Sequence, residues 1–107
     1  MTMFDDRERA QEAKFVHDEE MTFKVHARRN KLLGHWAAER MALHAAEAEA
    51  YAKAVVDADF EEAGDDDIIR KLLGDFVSAG VEISDAEIRA ALEAKALEAR
   101  AQLLGNA

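Results

Sequence analysis

Apolar residues recur along this chain at helical spacing rather than in strand alternation. In residues 68–77 they fall three and four positions apart, so they share one face of a helix. This strongest stripe comprises Ile68, Ile69, Leu72, Leu73, Phe76 and Val77. Weaker stripes run through about residues 21–43, 45–63 and 84–103. The pattern predicts four helices joined by short loops, which favours an all-α four-helix bundle with antiparallel neighbours.

The clearest helix start is at residues 84–87, where Ser84 and Glu87 form a capping box. There the Ser84 hydroxyl accepts the Glu87 amide and the Glu87 side chain reaches back. Asp65 or Asp66 is predicted to cap the third helix. Gly64 and Gly80 are predicted to end the second and third helices.

The boundary between the first two helices has no strong signal. Residues 41–49 contain no Gly, Pro, Asn or Ser, so one unbroken helix is an alternative to a turn near residues 43–47. We favour a tight turn, because two separate apolar faces then meet.

Arginines interrupt the apolar stripe of the first bundle helix. Met21 and Val25 precede Arg28 and Arg29 on that stripe, so its N-terminal half is expected to be poorly buried. Gly34 weakens the helix by about 1 kcal/mol relative to Ala. It is expected to permit a close helix crossing.

The first twenty residues have helix-forming composition but little to pack. They include seven acidic and three basic residues, with no Gly or Pro. Phe4 and Phe15 are eleven positions apart and would share a face, with Glu8 and Gln11 between them. Such a segment cannot dock firmly on its own domain. The sequence therefore predicts a mobile, helix-capable segment at residues 1–19, disordered or frayed when free, followed by a four-helix bundle at residues 20–107.

Charge and composition narrow the classes of function. The 107 residues carry a net charge of −9, which disfavours nucleic acid and anionic membrane surfaces. There is no cysteine and no run of the ~18–20 apolar residues needed for a membrane span. We expect a cytoplasmic protein without membrane insertion.

The residues offer little for catalysis or metal binding. His17, His26, His35 and His44 are nine positions apart, so on one helix successive imidazoles face opposite sides. The acidic run at residues 65–67 lacks the alternating spacing of a calcium loop. No phosphate-binding loop or nucleophile motif is present. The sequence predicts no metal, no catalytic residue and no enzyme activity.

One stretch concentrates positive charge. It consists of Lys24, His26, Arg28, Arg29 and Lys31. The first interpretation is a solvated or salt-bridged helix face. The alternative is a docking patch for an acidic partner or for the phosphates of ATP or ADP as a regulatory ligand, which would make the protein a small nucleotide-binding sensor. A separate hypothesis is that His17, beside Asp18 and Glu19, makes the segment sensitive to pH.

Several strings of residues are distinctive. They are FDDRERA at 4–10, EAKF at 12–15, HDEE at 17–20, ARRNKLLG at 27–34, WA at 36–37, YAK at 51–53, ADFEEAG at 58–64 and DAEIR at 85–89. Together they resemble the zeta subunit of the alphaproteobacterial F1FO-ATP synthase, the ATPase inhibitor of that enzyme.

The resemblance implies a mechanical inhibitor with a four-helix body. Its N-terminal segment would insert as a helix at a catalytic α/β interface of F1, near the γ stalk, and block the rotation that accompanies ATP hydrolysis. The implied partners are the α, β and γ subunits, which would place the protein at the membrane periphery. On this sequence the partner-binding residues would be Phe4, Asp5, Arg7, Arg9, Lys14 and Phe15, with the two phenylalanines as apolar anchors.

Overall fold

A computed structural model describes the backbone of residues 3–58 and 65–105, and the side chains from residue 19 onward within those ranges. This part of the chain forms four helices and no strand: α1 (Met3–Arg40), α2 (Ala45–Ala58), α3 (Asp66–Ser78) and α4 (Asp85–Leu104). The prediction of an all-α fold with four helices is confirmed.

Helix α1 is continuous from Met3 to Arg40. Its 38 residues span ~57 Å at ~1.5 Å per residue, in a molecule that measures 65 × 27 × 24 Å. No backbone break separates residues 3–19 from the first bundle helix. The side chains of residues 1–18, and with them the predicted anchors Phe4 and Phe15, lie outside the described residues.

The first interhelical turn follows Arg40 directly. Ala42 has a left-handed backbone with φ of 58°. The Leu43 amide donates to the Ala38 carbonyl and the Ala42 amide donates to the Glu39 carbonyl, which is a Schellman motif. The predicted turn is confirmed, although α1 ends about three residues earlier than expected, and the alternative of one unbroken helix is wrong.

Helices α1 and α2 cross closely at Gly34. A methyl group built on Gly34 would lie 2.6 Å from the Ala52 Cα, so only glycine permits this approach. Within α2, Ala52 and Val55 are buried and Tyr51 is half-buried, as the apolar pattern predicted. The predicted extension of α2 to Ala63, together with Phe60 and Gly64, lies outside the described residues.

All four helices contribute to one core. Its buried members are Leu33, Ala37, Val55, Ile68, Ile69, Leu72, Phe76, Ile88 and Leu92. The Trp36 ring packs against Phe76 with ring centroids 6.1 Å apart. Because Arg28 bonds to Gln102 and Arg40 bonds to Glu87, α4 lies antiparallel to α1.

Helix α3 buries five of the six residues of its predicted stripe at least in part. Val77 is the exception, because its side chain is 78% exposed. Val77 follows the exposed Arg70 by seven positions and so lies on the same solvent-facing side. Helix α3 ends as predicted at Gly80, with φ of 72° and a second Schellman motif.

The start of α4 has the predicted cap. The Ser84 Oγ accepts the Glu87 amide at 3.1 Å. The capping box predicted that the Glu87 carboxylate would accept a hydrogen bond from the Ser84 amide. Instead, it accepts from the Ser84 hydroxyl at 3.2 Å and from Arg40 at 3.3 Å. At α3, Asp65 occupies the cap position without a side-chain cap bond. Its carboxylate pairs with Arg29 instead.

A polar network joins α2 to α3. The Tyr51 hydroxyl donates to Asp75 Oδ2 at 2.7 Å, and Lys71 Nζ donates to the same oxygen at 3.0 Å. The Lys71 ammonium also lies 5.3 Å from the Tyr51 ring centroid. Burial, and then the hydrogen bond and negative charge of Asp75, raise the pKa of Tyr51 well above its ordinary value.

Candidate partner-binding site

The predicted inhibitory segment occupies the N-terminal part of α1. A helical backbone runs through positions 4 and 15, so their eleven-residue spacing places both on one side of the helix. The side chains of the six predicted partner-binding residues lie outside the described part of the chain. The structure thus gives this segment's helical path.

Packing of α1 against the rest of the protein begins shortly after residue 20. Glu19 and Glu20 are exposed, Met21 is half-buried, and Val25 is 8% exposed. Met21 and Val25 line a groove with Arg100 and Leu104, at the end of α4. Among the described side chains, those of α1 therefore change from exposed to buried between residues 20 and 25.

The basic stretch does not form a single surface. Lys24, Arg28 and Lys31 are exposed and follow one side of α1, since they are four and three residues apart. The Arg28 guanidinium donates to Gln102 on α4 at 2.9 Å. His26 lies instead in the groove between α1 and α4. The arrangement offers a partner three cations along one side.

Arg29 turns into the protein. It is only 5% exposed, its Nη2 lies 3.1 Å from Asp65 Oδ1, and its Nε donates to Asn30 Oδ1 at 3.0 Å. A buried guanidinium requires a paired anion, which Asp65 supplies from the start of α3. The expectation that the arginines leave this half of α1 poorly buried is wrong at Arg29. A sequence signal existed, because Arg29 lies midway between Val25 and Leu33, four residues from each.

The described histidines, His26, His35 and His44, lie apart, and the side chain of His17 lies outside the described residues. His35 Nε2 is 3.2 Å from Glu49 Oε1, and His44 is exposed in the first turn. Within residues 19–58 and 65–105, no group of three or more histidine, cysteine or carboxylate residues could hold a metal ion. None of the helices in this part of the chain combines the length and apolar composition that crossing a membrane requires.

The described residues define a small all-α protein in which one long helix continues from a helical body. Residues 1–102 match the family described as ATPase inhibitor subunit zeta. The chain belongs to that family.

A solved structure agrees with the fold. A chain described as a solution NMR structure is 48% identical, covers 81% of this chain and 99% of its own length, and superposes with a TM-score of 0.71. A search of curated proteins finds no match.

Proposed function

We propose that this protein inhibits ATP hydrolysis by F1FO-ATP synthase by inserting residues 1–19 as a helix into a catalytic α/β interface of F1, near γ. The family membership supports the inhibitory role. The observation that carries the insertion mechanism is α1 itself, whose helical backbone begins at Met3 and whose described side chains change from exposed at Glu19 and Glu20 to buried at Val25. On this proposal, the part of α1 that is offered to a partner is residues 3–19.

The side chains of the segment divide into two roles. Phe4 and Phe15 would enter apolar pockets on F1, while Arg7, Arg9 and Lys14 would pair with F1 carboxylates. The body would remain outside the interface, because its four-helix cross-section is wider than a single helix. Inhibition on this proposal is mechanical and requires no chemistry from the chain.

Truncation tests the assignment of the segment. Full-length protein and residues 20–107 are compared for inhibition of ATP hydrolysis by the cognate F1. We expect the truncated protein to melt cooperatively, with Trp36 still in a packed environment by near-ultraviolet circular dichroism, and to inhibit no hydrolysis. Equal inhibition by both proteins would falsify the assignment.

Point variants distinguish the contribution of the two apolar anchors to inhibition from the contribution of the charged residues. Phe4→Ala and Phe15→Ala should each weaken inhibition by about 30-fold or more, the size of a hot-spot loss of roughly 2 kcal/mol. Phe23→Ala is the matched control, because Phe23 is exposed on α1 just beyond the segment. A comparable loss in Phe23→Ala would argue against residues 1–19 as the binding element. For charge, Arg9→Glu is compared with Lys53→Glu, which lies on the exposed side of α2 and should inhibit normally.

We propose nucleotide binding as a second candidate, in which ATP or ADP acts as a regulatory ligand. The exposed side formed by Lys24, Arg28 and Lys31 favours it, since three cations suit a polyphosphate. Titrating ADP against the amide resonances of α1 tests the idea. Saturable shifts that vanish in Lys24→Ala support it, and the absence of saturable shifts rejects it.

A further inference from the structure

The outward side of α4 is apolar along its whole length. Going along the helix, apolar residues recur there every three or four positions. They are Ala86, Ala90, Ala94, Leu97, Ala101 and Leu104, and we term them the outer α4 face. Leu97 is 67% exposed and Leu104 is 49% exposed. The buried residues of α4 lie on the opposite side of the helix, so the core does not account for this face, although Ala101 is half-buried and Leu104 also lines the groove beside Met21 and Val25 of α1.

The outer α4 face has the spacing of a helix–helix seam. From Ala90 the apolar positions alternate by four, three, four and three, which is the repeat that keeps one stripe against a partner helix. Alanine at most of these positions permits a short distance between helix axes. The two leucines supply most of the apolar area.

The charged residues beside the face indicate which helix fits it. Glu93 and Arg100 lie on the same flank, seven residues apart, and both are exposed. Neither has an ion-pair partner in the part of the chain that the structure describes, whereas Arg89 on that flank already pairs with Asp66 and Asp85. This flank therefore carries one unpaired charge of each sign.

An antiparallel second copy satisfies both charges. When Leu97 of one copy faces Ala94 of the other, Ala90 faces Ala101, and Glu93 of each copy faces Arg100 of the other. Twofold symmetry makes this ion pair twice. In a parallel pair, Glu93 of one copy would instead approach Glu98 of the other and repel it.

We propose that the protein self-associates through the outer α4 face as a twofold, antiparallel pair of α4 helices. The face is ~27 Å long and ~10 Å wide at ordinary helix dimensions, roughly a third of the ~800 Å² per partner of a standard interface. The association is therefore weak and reversible. This inference is independent of the proposed inhibition of F1.

Sedimentation velocity of the full chain from ~10 μM to ~1 mM tests the proposal, because a weak pair is populated toward the upper end of this range. We expect the weight-average sedimentation coefficient to rise with concentration, and Leu97→Glu to remain monomeric throughout. Val77→Glu is the matched control, because Val77 is 78% exposed on α3 and gains the same charge. A wild-type protein that stays monomeric at 1 mM overturns the proposal, and so does association that survives in Leu97→Glu.

Charge reversal tests the antiparallel alignment. Glu93→Arg and Arg100→Glu each bring like charges together, so each should weaken association about tenfold. The double variant restores both ion pairs and the wild-type net charge, so it should recover association. The two single variants shift net charge in opposite directions, which separates a local effect from a global one. Failure of the double variant to recover refutes this alignment, provided that it melts at the wild-type temperature.

Discussion

At the scale of single residues, Gly34 decides how closely α1 and α2 approach. The space for a methyl group there is already occupied by the Ala52 backbone. Gly74, in the exposed middle of α3, has no atom within 4 Å of the corresponding position. Substituting Gly34 therefore tests the close packing of two helices, whereas substituting Gly74 tests only helix propensity.

We expect Gly34→Ala to destabilise the protein by about 1–3 kcal/mol, since the helices must move apart. Gly74→Ala should stabilise it by about 0.5–1 kcal/mol, because alanine favours the helix and meets no obstacle. Urea unfolding followed by circular dichroism measures both. Equal effects of the two substitutions would contradict the close crossing.

Tyr51 is the chain's single tyrosine, so the absorbance of ionised tyrosine reports on this residue alone. Its ionisation is expected to lower the stability of the protein at alkaline pH. Its folded-state pKa is raised, first by burial and then by Asp75, so the unfolded chain loses this proton at lower pH than the folded one. The contribution of the Tyr51 phenol to the free energy of unfolding is complete below its pKa of ~10 in the unfolded chain, and it decreases as pH rises above that value. We expect the free energy of unfolding to fall above about pH 10.

Tyr51→Phe should cost about 1 kcal/mol at neutral pH, because it removes the hydrogen bond to Asp75. The variant should also lose the part of the alkaline decrease that comes from this phenol. Denaturant unfolding at a series of pH values, with the absorbance of ionised tyrosine recorded in parallel, measures both effects. Normal phenol ionisation in the folded protein would contradict the network.

At the scale of helices, α1 and α3 end in the same hydrogen-bonded motif with different residues. The left-handed position is Ala42 after α1 and Gly80 after α3, with φ of 58° and 72°. An alanine in this conformation is strained, whereas a glycine is not.

Exchanging these residues should therefore have opposite effects. We expect Ala42→Gly to stabilise the protein and Gly80→Ala to destabilise it, each by about 1 kcal/mol or ~4–8 °C in Tm. A Cβ added at Gly80 would meet no atom within 4 Å, so the Gly80→Ala substitution introduces backbone strain and no steric clash. Thermal unfolding checks both, and effects of the same sign would show that strain at φ is not the cause.

The features that could be predicted from sequence are those that depend on neighbouring residues. The stripe of α3 and the cap at Ser84 are local, and both were correctly predicted apart from Val77 and the partner of Glu87. The turn after α1, with Ala42 in the left-handed position, carries no sequence signal, because alanine is an ordinary helix former. Helical periodicity places Arg29 on the same side of α1 as Val25 and Leu33, but it does not reveal the ion-pair partner Asp65, 36 positions away. The predicted side-chain roles of residues 4–15 stay predictions.

At the scale of the whole molecule, one helix joins the proposed inhibitory segment to the body. α1 has no glycine or proline before Gly34, so nothing in its sequence introduces a hinge near residue 20. The segment and the body are therefore expected to act as one rigid unit on F1.

A proline at this junction tests the requirement. Glu20→Pro removes a backbone hydrogen bond and kinks α1, with a local cost of about 3 kcal/mol. Since Glu20 is exposed and precedes the buried part of α1, we expect the core to stay folded while inhibition of F1 weakens at least tenfold. Glu20→Ala is the control and should inhibit as the wild type does. Full inhibition by the proline variant would show that a rigid junction is unnecessary.

The continuity of α1 also bears on how the protein would resist force. A load applied to its N-terminal tip by a rotating shaft would pass along the backbone to the crossing at Gly34 and Ala52. The torque that dislodges the inhibitor would then depend on the mechanical strength of that crossing as well as on affinity for F1. Variants that loosen the crossing would be expelled sooner from a working motor, even with every contacting residue intact.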